Sequence, residues 1–143
     1  MGDLPDQRSG EVTVLDMEAS IEHLTRGTVR NADVLLVVTE PYYRSLETTG
    51  RIVPLARELG LERVWVVANK VRGGADEAAI REYCARHAFE VVGVIPFDES
   101  VTAADQAGRA LIEYASRTPA VAAVGQLADV LMARLGAPVQ AGR

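Results

Sequence analysis

Val34-Leu35-Leu36-Val37-Val38-Thr39-Glu40-Pro41 is the stretch that decides the fold. Its valines and Thr39 are β-branched, which suits a strand. The run is continuously apolar rather than alternating. That pattern belongs to a strand covered on both faces, as in a parallel sheet. Glu40 and Pro41 then end it, because proline has no N–H for a ladder. The same character recurs at Val12–Met17 (VTVLDM), Val64–Ala68 (VWVVA) and Val91–Ile95 (VVGVI). Four runs of one kind predict about four strands.

Helical patterns fill the gaps. From Arg44 to Leu59, residues Leu46, Ile52, Val53, Ala56 and Leu59 fall at helical spacing, and Gly60 supplies a stop. Pro54 inside this stretch should kink or split the helix. Asp76 can N-cap a second helix whose face carries Ala79, Ile80, Tyr83, Cys84 and His87. Thr118-Pro119 opens a third, with Thr as N-cap and proline at the first helical position. Val121, Val124, Ala128, Leu131 and Leu135 form its stripe. Strands alternating with helices imply βαβ units and right-handed crossovers. The expected architecture is an α/β, partial doubly wound open parallel sheet with helices on both faces. Residues 1–11 read as a flexible lead, 12–135 as the domain and 136–143 as a tail.

The chain has 143 residues, with 48% hydrophobic and 24% charged residues, which suits one globular domain. Its net charge of −5 argues against a nucleic-acid groove, where phosphate contacts need clustered Lys and Arg. The single cysteine, Cys84, cannot form an internal disulfide, and a reducing cytoplasm is the simple reading. No secretory h-region and no apolar run of membrane-spanning length is visible.

If the strands are parallel, the residues that trail them share one edge, where open α/β sheets bind ligands. Asp16 ends the first run, and a carboxylate there can hold magnesium through water; it equally suits a turn or a helix N-cap. Asn69-Lys70 follows the third run. An Asn amide offers a donor and an acceptor to a purine edge, and the Lys stem can lie along the ring. Turn chemistry also explains an Asn after a strand. After the fourth run, Pro96 stiffens a loop in which Phe97 can flank a base, while Asp98 suits a helix cap. Glu18, Glu22 and His23 cluster behind Asp16, as a proton-transfer group or a solvated turn. Cys84 and His87 are too few for a metal site, and core packing is the better account of Cys84.

Together these segments resemble the nickel-insertion ATPases that mature carbon monoxide dehydrogenase, a branch of the MinD/ParA-like deviant-Walker P-loop ATPases. Residues 16–24, Asp-Met-Glu-Ala-Ser-Ile-Glu-His-Leu, followed by Arg26-Gly27-Thr28, resemble their switch II. Thr39-Glu40-Pro41 with Arg44-Ser45 and Glu47-Thr48 resembles the next strand and helix. Asn69-Lys70-Val71 resembles the base-recognition strand, and Ile95-Pro96-Phe97-Asp98 the base-flanking loop. The resemblance spans about residues 12–115. It implies a P-loop NTPase-like fold, ATP or ADP with Mg2+ as cofactors, and Asp16 placing magnesium and the attacking water. It also implies that Asn69, Lys70, Pro96 and Phe97 bind the nucleotide, and that pairs of chains dimerise around two ATP, near Ser45 and Thr48. A metalloenzyme client is implied as well.

The sequence departs from that family. Ser20 replaces a glycine, and its Cβ restricts φ near a γ-phosphate. No GxxxxGK[ST] loop occurs; Gly73-Gly74 runs on into Ala75-Asp76. The family's CxC pair is absent, so nickel binding has no support in this chain. Since the loop supplies most N–H donors to the phosphates, the expectation is a truncated or split protein that does not hydrolyse ATP alone. It would need a P-loop-containing half. A non-enzymatic interaction module with the same fold is one alternative. A receiver-like phosphoacceptor using Asp16, Thr39 and Lys70 is another.

Overall fold

The computed structural model describes residues 11–17, 24–25, 27 and 30–136. Glu18, Ser20, Glu22, His23, Arg26 and Thr28 lie outside the described residues, as do 1–10 and 137–143. The described sheet has three parallel strands in the order β1 (Leu35–Thr39), β2 (Val64–Val71) and β3 (Glu90–Pro96). Leu35 to Thr39 align with Val64 to Ala68, and β2 aligns in turn with β3. Helix α1 (Tyr43–Glu58) connects β1 to β2, and α2 (Gly74–Arg86) connects β2 to β3. Short α3 (Glu99–Gln106) and α4 (Leu111–Tyr114) lead to α5 (Pro119–Leu135).

Two right-handed crossovers through neighbouring strands place α1 and α2 on one face. The core lies there, joining Val37, Val66 and Ala68 of the sheet to Ile52, Val53 and Ala56 of α1 and Ile80 and Cys84 of α2. Trp65 and Val67 alternate with these core residues and so face the other way. On that side α5 covers β3. A Cβ on Gly93 would stand 3.0 Å from Leu127 Cδ1, so glycine is what lets α5 approach the strand. Arg134 of α5 stacks over Trp65 at 5.0 Å and pairs with Glu90 at 2.6 Å. Helices therefore occupy both faces.

Local signals explain the helix ends. After α1, Gly60 adopts φ +101°. Gly60 N–H donates to Arg57 O and Leu61 N–H to Ala56 O, the paired bonds that satisfy a helix C-terminus. The same pair closes α2, where Phe89 N–H reaches Cys84 O at 2.8 Å, yet the left-handed position is Ala88, at φ +56°. Thr118 caps α5 by accepting Val121 N–H at 3.2 Å.

Several expectations are corrected. Val12–Met17 is not a strand: it joins no ladder, and Val14 is 87% exposed. β-branched residues favour an extended chain, but a strand also needs a partner and a covered face. Pro54 does not split α1. It sits on the exposed side, and buried Ile52, Val53 and Ala56 hold the helix to the core around the missing bond. Asp76 is not an N-cap. Gly73 holds that position, and Asp76, inside the first turn, reaches back to accept Arg72 N–H at 2.9 Å. Of the face assigned to α2, Ile80 and Cys84 are buried and Tyr83 is half-buried, while Ala79 and His87 are exposed.

Candidate functional site at the carboxyl edge of the sheet

All three strands end on one edge. At β1, Thr39 is fully buried, and its hydroxyl lies 3.1 Å from Ser45 Oγ. Ser45 also accepts the Glu40 N–H at 2.9 Å. Ser45 thus ties the end of β1 to the first turn of α1. Thr48 bonds locally to Arg44 O at 2.9 Å.

At β2 the ladder runs Ala68↔Val94 and then Val71↔Pro96, so β2 carries one extra residue. Asn69 and Lys70 are therefore part of the strand rather than a turn behind it. Lys70 takes φ +54° at this bulge. Bulges re-aim side chains and recur at the rims of functional sites. Here the bulge points Lys70 at β1, with Nζ 2.8 Å from Glu40 Oε1. That hydrogen bond and the carboxylate's charge hold the Lys70 ammonium above its ordinary range, against an opposing effect of burial and with a lesser push from Tyr42. Asn69 is half-buried, and its amide makes no hydrogen bond to any described residue.

At β3, Phe97 N–H donates to Val71 O at 2.9 Å, which fixes the loop against the end of β2. The Arg72 guanidinium lies 3.7 Å over the Phe97 ring. Asp98 takes the capping role. One oxygen accepts Ser100 N–H at 2.9 Å, and the other accepts Ala120 N–H of α5 at 3.1 Å. The Ala120 and Ser100 N–H groups hold its carboxyl below the usual carboxylate range. One side chain therefore joins the starts of α3 and α5 to the site.

Lys70, Glu40, Pro96, Phe97 and Asn69 thus gather at the carboxyl edge. Asp16 does not join them through any contact; it is exposed and has no partner among the described residues. Its neighbour Met17 lines a groove of about 310 Å³ beside β1, with Leu36, Val38, Ser45, Thr48 and Ile52. Arg72 and Tyr42 were not singled out from sequence. A bulge in β2 is what turns Arg72 toward Phe97, and valine-rich runs give no sign of a bulge. Cys84 is buried, which pushes its thiol above the ordinary range, with Arg81 pulling the other way. Among the described residues no cluster of three or more His, Cys, Asp or Glu is arranged for a metal, and no helix is long and apolar enough to cross a membrane.

No protein-family model matches the chain. The carbon monoxide dehydrogenase accessory protein CooC of Rhodospirillum rubrum is 44% identical over 98 residues, covering 68% of this chain and 36% of CooC. An uncharacterized ATP-binding protein of Methanocaldococcus jannaschii is 39% identical over 100 residues, covering 69% of this chain and 38% of that protein. The chain thus spans little more than a third of the length of these relatives. Among solved structures, the MinC:MinD cell division protein complex of Aquifex aeolicus matches with a TM-score of 0.65 at 22% identity, over 79% of this chain and 48% of that one. A ParA family ATPase from Chlorobium tepidum gives 0.65 at 19% identity, over 78% and 47%. At those identities the structural matches establish the fold alone, and the sequence relatives establish the family. The chain belongs to the family of the carbon monoxide dehydrogenase accessory protein CooC, on the fold that MinD and ParA share.

Proposed function

We propose that the carboxyl edge of β1–β3 is the base-recognition part of an adenine-nucleotide site. One observation carries this reading: the half-buried Asn69 amide, held at a β-bulge beside Phe97, has no partner within the described residues. Its polar atoms reach solvent and are open to a ligand, and an amide suits the donor–acceptor edge of adenine. Pro96 and Phe97 line the base, and Lys70, paired with Glu40, borders it. Asp16, an exposed carboxylate, fits magnesium held through water, because Mg2+ keeps most of its waters and takes one or two carboxylates. ATP-binding relatives and a solved MinD with Mg-ADP from Pyrococcus horikoshii support this choice of ligands.

Hydrolysis requires a phosphate cradle, and this sequence has no GxxxxGK[ST] loop. In this proposal the phosphate donors come from a P-loop-bearing segment outside residues 1–143. The edge of β1 that no described strand pairs, with the apolar groove beside it, supports docking of that segment. A role in maturing a metalloenzyme, by analogy with CooC, is part of the same proposal.

The test is calorimetric titration of ADP and ATP with Mg2+ into the chain, alone and mixed with a P-loop-containing half. Binding should be weak alone and stronger in the mixture. Asn69→Ala should weaken it by about 1–3 kcal/mol. Absence of binding in both arms, or indifference to Asn69→Ala, would reject the site.

A further inference from the structure

Arg72 lies at the same rim and has no role in the site as described so far. Alternation along β2 fixes where it points. Ala68 and Val71 both belong to the core under α1 and α2. With the extra residue between them absorbed by the bulge, Asn69 and Arg72 share the opposite face. On β3, Val94 packs against that same core, so Ile95 and Phe97 also turn to the opposite face. Asn69, Arg72 and Phe97 therefore stand on one side of the sheet, at one end.

Both members of the Arg72–Phe97 pair are anchored through their backbones. Arg72 N–H is held by Asp76 Oδ2 at 2.9 Å, and Phe97 N–H by Val71 O at 2.9 Å. The guanidinium carbon sits 3.7 Å from the ring centroid, the spacing of stacked planar groups. A base approaching the Asn69 amide from this side meets the guanidinium, because Arg72 already covers Phe97. Arg72 itself is exposed, so solvent reaches its side chain.

We infer that Arg72 is a base-binding residue, whose guanidinium plane, backed by Phe97, is the surface on which the purine stacks. Guanidinium groups stack on aromatic faces and on nucleobases, which a lysine ammonium cannot do. This assignment rests on the base-site reading above and changes the role of Phe97 from direct contact to backing.

The experiment titrates adenosine and, separately, Mg-ADP into the chain, followed by NMR at the Asn69 side-chain amide and the Arg72 Nε–H. Wild type, Asn69→Ala, Arg72→Ala and Arg72→Lys are compared. Arg72→Ala and Arg72→Lys should each weaken adenosine and ADP alike, by about 5- to 100-fold. Full affinity in Arg72→Lys, or a loss confined to ADP, would show a charge contact to phosphate and overturn the inference. Tighter binding by Arg72→Ala would show that Arg72 shields Phe97 from the base, which also overturns it. If Asn69→Ala weakens binding and neither Arg72 variant does, only this inference fails. If wild type takes up no adenosine, the base site itself fails and Arg72 with it. Arg72 is exposed, so the variants should fold, and unchanged amide spectra away from the rim check that they do.

Discussion

Gly50 sits in the middle of α1, where glycine ordinarily weakens a helix by about 0.8–1.0 kcal/mol relative to alanine. Helix propensity alone therefore says that Gly50→Ala should stabilise the protein. Packing says the opposite. An added Cβ would meet the Tyr83 hydroxyl oxygen at 2.1 Å and Cζ at 3.3 Å. Gly50 is what lets the Tyr83 side chain of α2 lie against the backbone of α1. Tyr83 would have to withdraw by more than about 1 Å to restore an ordinary contact. Its ring is not free to do so, because it stacks on His87 at 4.2 Å and packs against the core. Overpacking of this kind costs about 1–3 kcal/mol. Set against the propensity gain, the net expectation is a loss of about 0–2 kcal/mol.

Two controls isolate the clash. Gly125, also mid-helix, in α5, has nothing within 4 Å of an added Cβ. Gly125→Ala should gain about 1 kcal/mol. Tyr83→Phe removes the offending oxygen and leaves the ring contacts at 3.3 and 3.7 Å. The hydroxyl makes no hydrogen bond among the described residues, so that change alone should be nearly neutral. The double variant should recover most of the loss, a coupling of about 1 kcal/mol or more. Urea unfolding followed by far-UV circular dichroism, with Trp65 fluorescence as a second probe, measures wild type and the four variants. If Gly50→Ala gains as much as Gly125→Ala, or if Tyr83→Phe rescues nothing, the close approach of α1 and α2 at this point is refuted.

Other outcomes follow from the helix ends. Ala88 holds the left-handed position after α2 at φ +56°, where Gly60 and Gly136 serve α1 and α5. Ala88→Gly should therefore stabilise by about 1 kcal/mol in the same urea assay, against the usual direction for glycine. Asp98 has a folded-state pKa below its unfolded value, near 3.9. Its contribution is present above that unfolded value and is lost as the pH falls through the folded one. Asp98→Asn should unfold at a lower temperature than wild type at pH 7, and the gap should close on acidification below about pH 4. A gap that stays constant down to pH 2 would mean that charge plays no part in the cap.

Much of the edge was legible because strand ends announce themselves chemically. Thr39-Glu40-Pro41 and Pro96-Phe97-Asp98 each break an apolar run with residues that cannot continue it, and the structure ends β1 and β3 there. Asp98 as a cap and Thr118-Pro119 as a helix start were equally local and equally readable. Asn69-Lys70 was placed correctly at the end of the third run but read as following the strand rather than bulging within it, because a bulge is a relation between two strands. Val-Trp-Val-Val-Ala followed by Asn-Lys-Val reads the same whether or not β3 skips a residue opposite it. The consequences of that skip, the left-handed Lys70, its reach to Glu40 and the turn of Arg72 onto Phe97, were invisible for the same reason.

Val12–Met17 marks the same boundary from the other side. Its composition matches Leu35–Thr39 closely, yet one forms a strand and the other does not. The difference lies in neighbours. Leu35–Thr39 has Val64–Ala68 along one edge and α1 over one face, whereas Val12, Val14 and Leu15 stay exposed and Met17 alone is half-buried, against the groove beside β1. Local propensity spans only about 1 kcal/mol per residue and shifts with burial. It selects the extended conformation but cannot supply the ladder. No described strand pairs with the outer edge of β1, and Val38 on its face away from the core is 55% exposed. A strand donor there would add backbone hydrogen bonds along β1 and cover the groove that Met17 lines. The apolar run is thus suited to a sheet wider than the three strands described, and the groove is the place where that sheet would be extended.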